Sequence, residues 1–284
     1  MNGSGKGDME SPGTNIKEMS MSLRINTNVE AFNAHRNLEF TSNKLAKSME
    51  RLSSGFRINR AADDAAGLAI SEKLRGQIGG LDQARRNTQD GISLVQTAEG
   101  SLTEVHSMLQ RVRELAVQYQ NGTLSSSDRT AINSEVIQLT DEIERIGRTA
   151  QFNGTRLLDR AATITFQVGA NDGETISVDT ISLGSVSSRF TLTGASILSD
   201  IDRAIDGVSA QRASFGAVQN RLEHTYNNLA TYQENLTASE SRIRDVDMAA
   251  EMVNFTKNQI LQQAGTSMLA QAQQAPQAVL SLLR

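Results

Sequence analysis

The chain has 284 residues, enough for one or two compact domains, but only 4% are aromatic, none is Trp and 38% are hydrophobic, which excludes a thick globular core and suits thin helical bundles. A formal charge of -4, with acids and bases interspersed, excludes a nucleic-acid footprint and gives no basis for binding anionic membranes; the absence of Cys excludes disulfide and thiolate chemistry. No run is long and apolar enough to span a bilayer, and no apolar segment of a secretory signal follows Met1.

The two prolines, Pro12 and Pro276, sit near the termini, so everything between them is open to long helices. Residues 1–20 are Gly, Ser, Lys, Glu and Met without periodicity, and are expected to be a disordered extension or a leader, with a different segment beginning at Met21. From Asn28 a first helix is predicted, with Leu38, Ser42, Leu45, Met49, Leu52 and Phe56 along one face. That stripe is narrow, so the helix should order only against a neighbour.

Turn chemistry at Ser53, Ser54 and Gly55 ends this helix. Asp63 and Asp64 then read as the start of the next one rather than as a catalytic pair, because an acid there accepts from free backbone N–H groups and meets the positive end of the helix dipole. The second helix is predicted over Ala65 to Tyr119, with a bend at Gly76, Gly79 and Gly80. Its seam of Val95, Ala98, Leu102, Val105, Leu109, Val112, Ala116 and Tyr119 alternates three and four, the period of a coiled coil. Asn121-Gly122 closes it, Ser125 to Asp128 offers several N-caps, and a third helix follows with Ile132, Val136, Leu139, Ile143, Ile146 and Ala150 inward. The short connection makes helices two and three antiparallel neighbours.

After Phe152-Asn153-Gly154 the period changes. Ala161 to Val168 and Thr175 to Leu183 alternate and flank Asn171-Asp172-Gly173, a hairpin signal; Arg189 to Thr193 would add a third short strand. This insert is too short for its own core. A fourth helix is predicted from about Ala195 to Ile243, because Ile201, Val208, Phe215, Leu222, Leu229, Leu236 and Ile243 recur every seven residues. A fifth segment carries Met248, Met252, Val253, Phe255, Ile260, Leu261, Met268 and Leu269. It ends in Val279, Leu280, Leu282 and Leu283, apolar residues that need the first helix or another subunit as partner. The Met group is read either as core or as an adaptable partner surface.

The search for chemistry finds none: His35, His106 and His224 are far apart, and no HExxH, GxxxxGK or GxSxG motif occurs. Asp245 and Asp247 read as turn and cap residues. The expected fold is therefore mainly α: an elongated antiparallel helical bundle or coiled coil with a small β-hairpin insert, the terminal helices pairing as a second coiled coil. No enzyme activity, cofactor or metal is expected.

Several stretches carry a family resemblance. Met21-Ser22-Leu23-Arg24-Ile25-Asn26-Thr27-Asn28, Arg51-Leu52-Ser53-Ser54-Gly55-Phe56-Arg57-Ile58-Asn59 and Asp63-Asp64-Ala65-Ala66-Gly67-Leu68-Ala69-Ile70 closely resemble bacterial flagellin. So do Leu109 to Gln118, Gln151 to Gly154, Ser239 to Asp247 and Val279 to Arg284. The match spans the chain from Met21 in the family's order, with only the short β stretch where many members insert large outer domains.

The resemblance implies a subunit that polymerises into an extracellular helical filament for motility. It implies inner-core segments at 21–60 and 246–284, rod-domain parts at 61–160 and 195–245, and the β insert at 161–194. Partners implied are further copies of the chain, an export chaperone, and the filament cap and hook-junction proteins. The terminal contacts would include Leu38, Leu45, Met49, Leu52, Val253, Ile260, Leu269, Val279, Leu280, Leu282 and Leu283. The segment Leu109 to Gln118 is similar to the one engaged by the flagellin-sensing Toll-like receptor of animals, with Gln110, Arg111, Glu114, Leu115 and the neighbouring Glu135 at its contact positions. A hook-filament junction or cap protein is the alternative reading, and a cytoplasmic coiled-coil scaffold a third.

Overall fold

The computed structural model describes residues 27–184, 192 and 197–282, with side chains to residue 274. The expected strand at Arg189 to Thr193 therefore lies largely outside the described residues. Among the described residues five helices and four short strands follow in the order α1 (Val29–Ser54), α2 (Ala65–Tyr119), α3 (Ser126–Thr149), β1 (Gln151–Phe152), β2 (Thr155–Arg156), β3 (Thr163–Gln167), β4 (Thr175–Asp179), α4 (Ile197–Arg244) and α5 (Met248–Leu282). The chain divides into two compact units: one joins the segment up to Asn59 to that from Val246 onward, the other is Arg60–Asp245.

The helix ends follow from local chemistry. Asn28 caps α1 by accepting from the Ala31 N–H, and Gly55 closes it at φ 76°, a left-handed conformation that glycine adopts without steric cost. Asp64 accepts from Gly67 at 2.8 Å to start α2. Ser125 and Asp128 form a reciprocal capping box on α3, and Asp247 accepts from Ala249 and Ala250 at the start of α5.

In the middle unit α2 and α4 pair antiparallel, as the sequence pattern required. The α2 seam from Val95 to Val112 is wholly buried, and Ile201, Val208, Phe215 and Leu222 face it with no exposure. Between these heptad positions α4 places Ala204, Gln211 and Val218, completing the three-four alternation. Polar ties cross the pair at its edges: Arg113 to Asp202 at 2.7 Å, Arg85 to Gln233 at 2.8 Å and Arg244 to Glu72 at 2.6 Å. Where the glycines Gly76, Gly79 and Gly80 led to an expected bend, α2 runs through all three as one helix over the predicted span.

The β3–β4 hairpin lies on this pair. Ile164, Phe166, Ile176 and Val178 point inward, while Thr163, Thr165, Gln167, Thr175, Ser177 and Asp179 point to solvent. Gly91 makes room for it, because a Cβ there would stand 3.4 Å from the Phe166 ring and 3.3 Å from Leu222. At the hairpin end the Glu174 carboxylate accepts from Asn171 N and Nδ2, both at 3.1 Å, and covers Gly169 so closely that no side chain fits there. Both strands are shorter than the alternation suggested: pairing starts at Thr163↔Asp179, and beyond it the Thr180 hydroxyl takes over by bonding Ala162 and Arg160.

Candidate assembly surfaces

The terminal unit is the antiparallel pair α1 and α5, and its seam is unusual in what it buries. On α1 the inward, half-buried or buried positions are Ala31, Ala34, Leu38, Thr41, Leu45, Ser48 and Leu52, again three-four spaced. On α5 they are Glu251, Phe255, Asn258, Gln262, Gly265, Leu269 and Ala272. Small and polar residues make up most of both rows. Among the described side chains of these two helices only Ser48 and Glu251 are buried.

This corrects part of the expected stripe. Leu38, Leu45, Leu52 and Leu269 are at the seam, but Met49 is 54% exposed, Val253 68% and Ile260 60%, on other faces. Ser42 also points out, and Thr41 and Ser48 take the positions expected of Ser42 and Met49. Counting apolar residues alone misplaced the seam, because it is carried by small polar side chains that let the helices approach. Val279, Leu280 and Leu282 lie on α5 without described side chains, and Leu283 lies outside the described residues.

Many large apolar side chains of the terminal unit are thus turned outward: Phe32, Phe40, Met252, Val253, Ile260, Leu261 and Met268 are each about half exposed or more. Between the helices an open groove of about 780 Å³ is lined by Glu30, Asn37, Leu38, Leu261, Gly265 and Met268. Close approach occurs at Gly265, where a Cβ would come within 3.2 Å of Leu38.

A second surface lies on α2 and α3 in the middle unit. Arg111 donates to Glu135 Oε1 from Nε at 3.0 Å and from Nη2 at 2.9 Å, and to Glu114 from Nη1 at 3.2 Å. These carboxylates, Glu135 foremost, raise the guanidinium pKa further, so Arg111 is a fixed cation in a small exposed ion network. Gln110 is exposed and pairs with His106 at 3.0 Å. Leu115 does not share their exposure. It is 2% exposed and packs with Val112, Ile132, Val136 and Ile201. The expected face of Arg111 with an accessible Leu115 is therefore corrected: α3 covers Leu115, and the accessible face is polar.

Nothing in the sequence pointed to the pair Arg51–Glu251, which joins the last turn of α1 to the first turn of α5 at 3.6 Å. Nor did it identify the β1–β2 turn, where Asn153 at φ 46° and Gly154 at φ 79° hold a two-residue hairpin. That turn was legible in principle, since Asn-Gly favours positive φ at both positions. Among the described residues no cluster of His and carboxylates has metal-ligand geometry, and no helix is long and apolar enough to cross a membrane.

A filled antiparallel helix pair in one unit and a pair with outward apolar faces in the other define a helical structural subunit. Residues 25–163 match the family model for the bacterial flagellin N-terminal helical region, and residues 198–283 that for the bacterial flagellin C-terminal helical region. A flagellin of Halalkalibacterium halodurans is 57% identical over 271 residues, covering 92% of this chain and 99% of that protein. A flagellin of Bacillus subtilis is 49% identical over 304 residues, covering 92% and 100%. The crystal structure of Bacillus cereus flagellin aligns with a TM-score of 0.47 at 34% identity, covering 51% of this chain and 88% of that one. The chain belongs to the bacterial flagellin family, and it is a filament structural subunit. The junction-protein and cap-protein alternative is not favoured, because relatives matched over almost their whole length are named flagellins.

Proposed function

We propose that this subunit enters the flagellar filament through its terminal helices, which gain their apolar partners only from other copies of the chain. The observation that carries the reading is the uncovered face of the α1 and α5 pair, with Phe32 69%, Val253 68% and Met268 62% exposed. Two paired helices that leave such residues in water recover little of the entropy of ordering them. Stacking against neighbouring subunits supplies the missing burial. The contact joins different patches on successive copies, so repetition extends a helical polymer instead of closing a ring.

In this reading 21–60 and 246–284 form the inner core of the filament, 61–160 and 195–245 the surrounding rod domain, and 161–194 the β insert. The chain is secreted through the flagellar export apparatus and polymerises outside the cell, adding to the structure begun by hook-junction proteins beneath the filament cap. Before export a chaperone covers the apolar residues of Met248 to Arg284. The Arg111 face with Gln110, Glu114 and Glu135 serves subunit packing and, in free monomer, contact with the flagellin-sensing Toll-like receptor.

Deleting Gln262 to Arg284 tests the central claim. The middle unit keeps its own seam, so the expected product is a soluble helical monomer that forms no filaments. Filaments of the truncated protein in electron micrographs would overturn it. Protease mapping with the chaperone tests the second claim, which fails if protection falls only on the β insert.

A further inference from the structure

Among the described residues two Asn-Gly pairs, Asn121-Gly122 and Asn153-Gly154, offer the same chemistry in sequence and opposite geometry in the fold; a third, Asn2-Gly3, lies outside them. We propose that Asn121 is a site of spontaneous deamidation through a succinimide, and that Asn153 is protected from the same reaction by its turn. In this reaction the Gly amide nitrogen loses its proton and attacks the Asn side-chain carbonyl carbon. The new C–N bond closes a five-membered ring and ammonia leaves. Water then opens the ring at either carbonyl, giving aspartate or isoaspartate. The balance is one water in and one ammonia out, with no oxidation. Glycine as the second residue matters, because it places no side chain against the attacking nitrogen.

At Asn121 the side chain folds back on its own backbone. Its Oδ1 accepts from the Thr123 N–H at 3.3 Å, an Asx turn, while its backbone carbonyl accepts from Leu124 at 3.4 Å. Hydrogen-bonded closure of that kind holds the side-chain carbonyl carbon and the Gly122 nitrogen within one ring, which limits the reorientation that attack requires. Both residues are exposed, and a Cβ built on Gly122 meets nothing within 4 Å, so neither water nor base is excluded.

At Asn153 the geometry is reversed. With φ at 46° the residue is left-handed, and in that conformation the following amide nitrogen lies across the Cα–C bond from the side chain. Attack needs a backbone rotation, and the flanking pairs Gln151↔Arg156 and Phe152↔Thr155 resist it. Phe152 adds to the resistance, being packed against the main core of the unit.

Reaction at Asn121 changes the connection between α2 and α3. Isoaspartate inserts an extra methylene into the main chain, and either product puts a negative charge beside the C-terminal end of α2, where the helix dipole opposes it. Arg129, whose Nη2 approaches the Asn121 carbonyl oxygen at 3.5 Å, is the nearby cation that would meet that charge.

The test is incubation of the purified full chain in mildly alkaline buffer, followed by peptide mapping by mass spectrometry and an isoaspartate-specific methyl-transfer assay. The expected result is that the peptide with Asn121 gains the mass of an amide-to-acid exchange roughly tenfold faster than the peptide with Asn153. In concentrated urea the two rates should converge, because both pairs then sample the same conformations. In an Asn121→Gln chain the peptide spanning residue 121 should lose its fast isoaspartate signal, read apart from the peptide that carries Asn2-Gly3. Equal native rates, a faster Asn153, or a difference that persists in urea would each overturn the proposal.

Discussion

Arg51 Nη1 stands 3.6 Å from Glu251 Oε2, and the Glu251 side chain is 8% exposed against 28% for Arg51. The pair fastens the end of α1 to the start of α5, where the backbone is also tied by Val246 N–H donating to Gly55 O at 3.0 Å. Arg51→Ala leaves a nearly buried carboxylate without its charge partner. Because Arg51 is itself partly solvated, the expected cost is about 1–2 kcal/mol, below that of a fully buried pair. Amide exchange along α1 and α5 in assembled filaments should accelerate in Arg51→Ala, more than in Arg51→Lys.

Core truncations in the two units should separate folding from assembly. Phe215 and Leu102 are fully buried between α2 and α4, so Phe215→Ala is expected to cost about 3–5 kcal/mol and Leu102→Ala about 2–5 kcal/mol. Thermal unfolding followed by circular dichroism reads this directly. Val253→Ala and Ile260→Ala, on exposed positions of α5, should leave the melting temperature of the monomer unchanged and raise the concentration needed to polymerise.

Two glycines inside helices should respond oppositely to alanine. A Cβ on Gly100 meets nothing within 4 Å, so Gly100→Ala should stabilise the middle unit by up to about 1 kcal/mol through helix propensity. On Gly147 it would come within 3.0 Å of Leu183 Cβ and 3.4 Å of Leu158 O, so the same change should destabilise by displacing the segment packed on α3. Melting temperatures that move in the same direction would contradict the close approach.

Long-period features were legible in the sequence and single polar contacts were not. The α2 and α4 seams repeat over many turns, so each apolar residue confirms the next. In the α1 and α5 pair the seam positions are Thr41, Ser48, Asn258 and Gln262 as often as Leu, and the strongest apolar signals, Val253 and Ile260, belong to another surface. Periodicity of hydrophobic residues cannot separate two faces of one helix when the partner face is polar. Leu115 shows the same limit in reverse: helical spacing puts it one turn from Arg111, but only the position of α3 determines that it is covered.

Acid should weaken the middle unit through carboxylates that are bonded in the fold. The Ser125 hydroxyl and N–H hold Asp128 below its ordinary range, Arg244 foremost lowers Glu72, and Arg145 lowers Glu142. A depressed folded pKa means the contribution is present above the ordinary carboxylate range and lost as pH falls through the folded value. Melting temperature should therefore decline below that range. Asp128→Asn should flatten part of the slope while lowering the plateau at neutral pH.

The exposed network on α2 and α3 gives the last prediction, which rests on the proposed double use of that face. Arg111 is held by Glu135 and Glu114, and none of the three is buried in the free chain, so Arg111→Ala should change monomer stability little. Leu115→Ala cuts into the packing beneath α3 and should cost about 2–5 kcal/mol, so a loss of function in that variant would report on folding. The informative variants are Arg111→Ala, Arg111→Lys and Glu114→Ala. If one surface meets both neighbouring subunits and the receptor, Arg111→Ala should lower receptor activation by depolymerised protein and weaken assembly together. Arg111→Lys should recover only part of each, because a compact ammonium cannot reproduce the fork that reaches both Glu114 and Glu135. Dose curves on reporter cells and polymerisation measured by light scattering provide the two readings. Unchanged receptor potency in Arg111→Ala would remove the receptor contact, and unchanged polymerisation would remove the shared face.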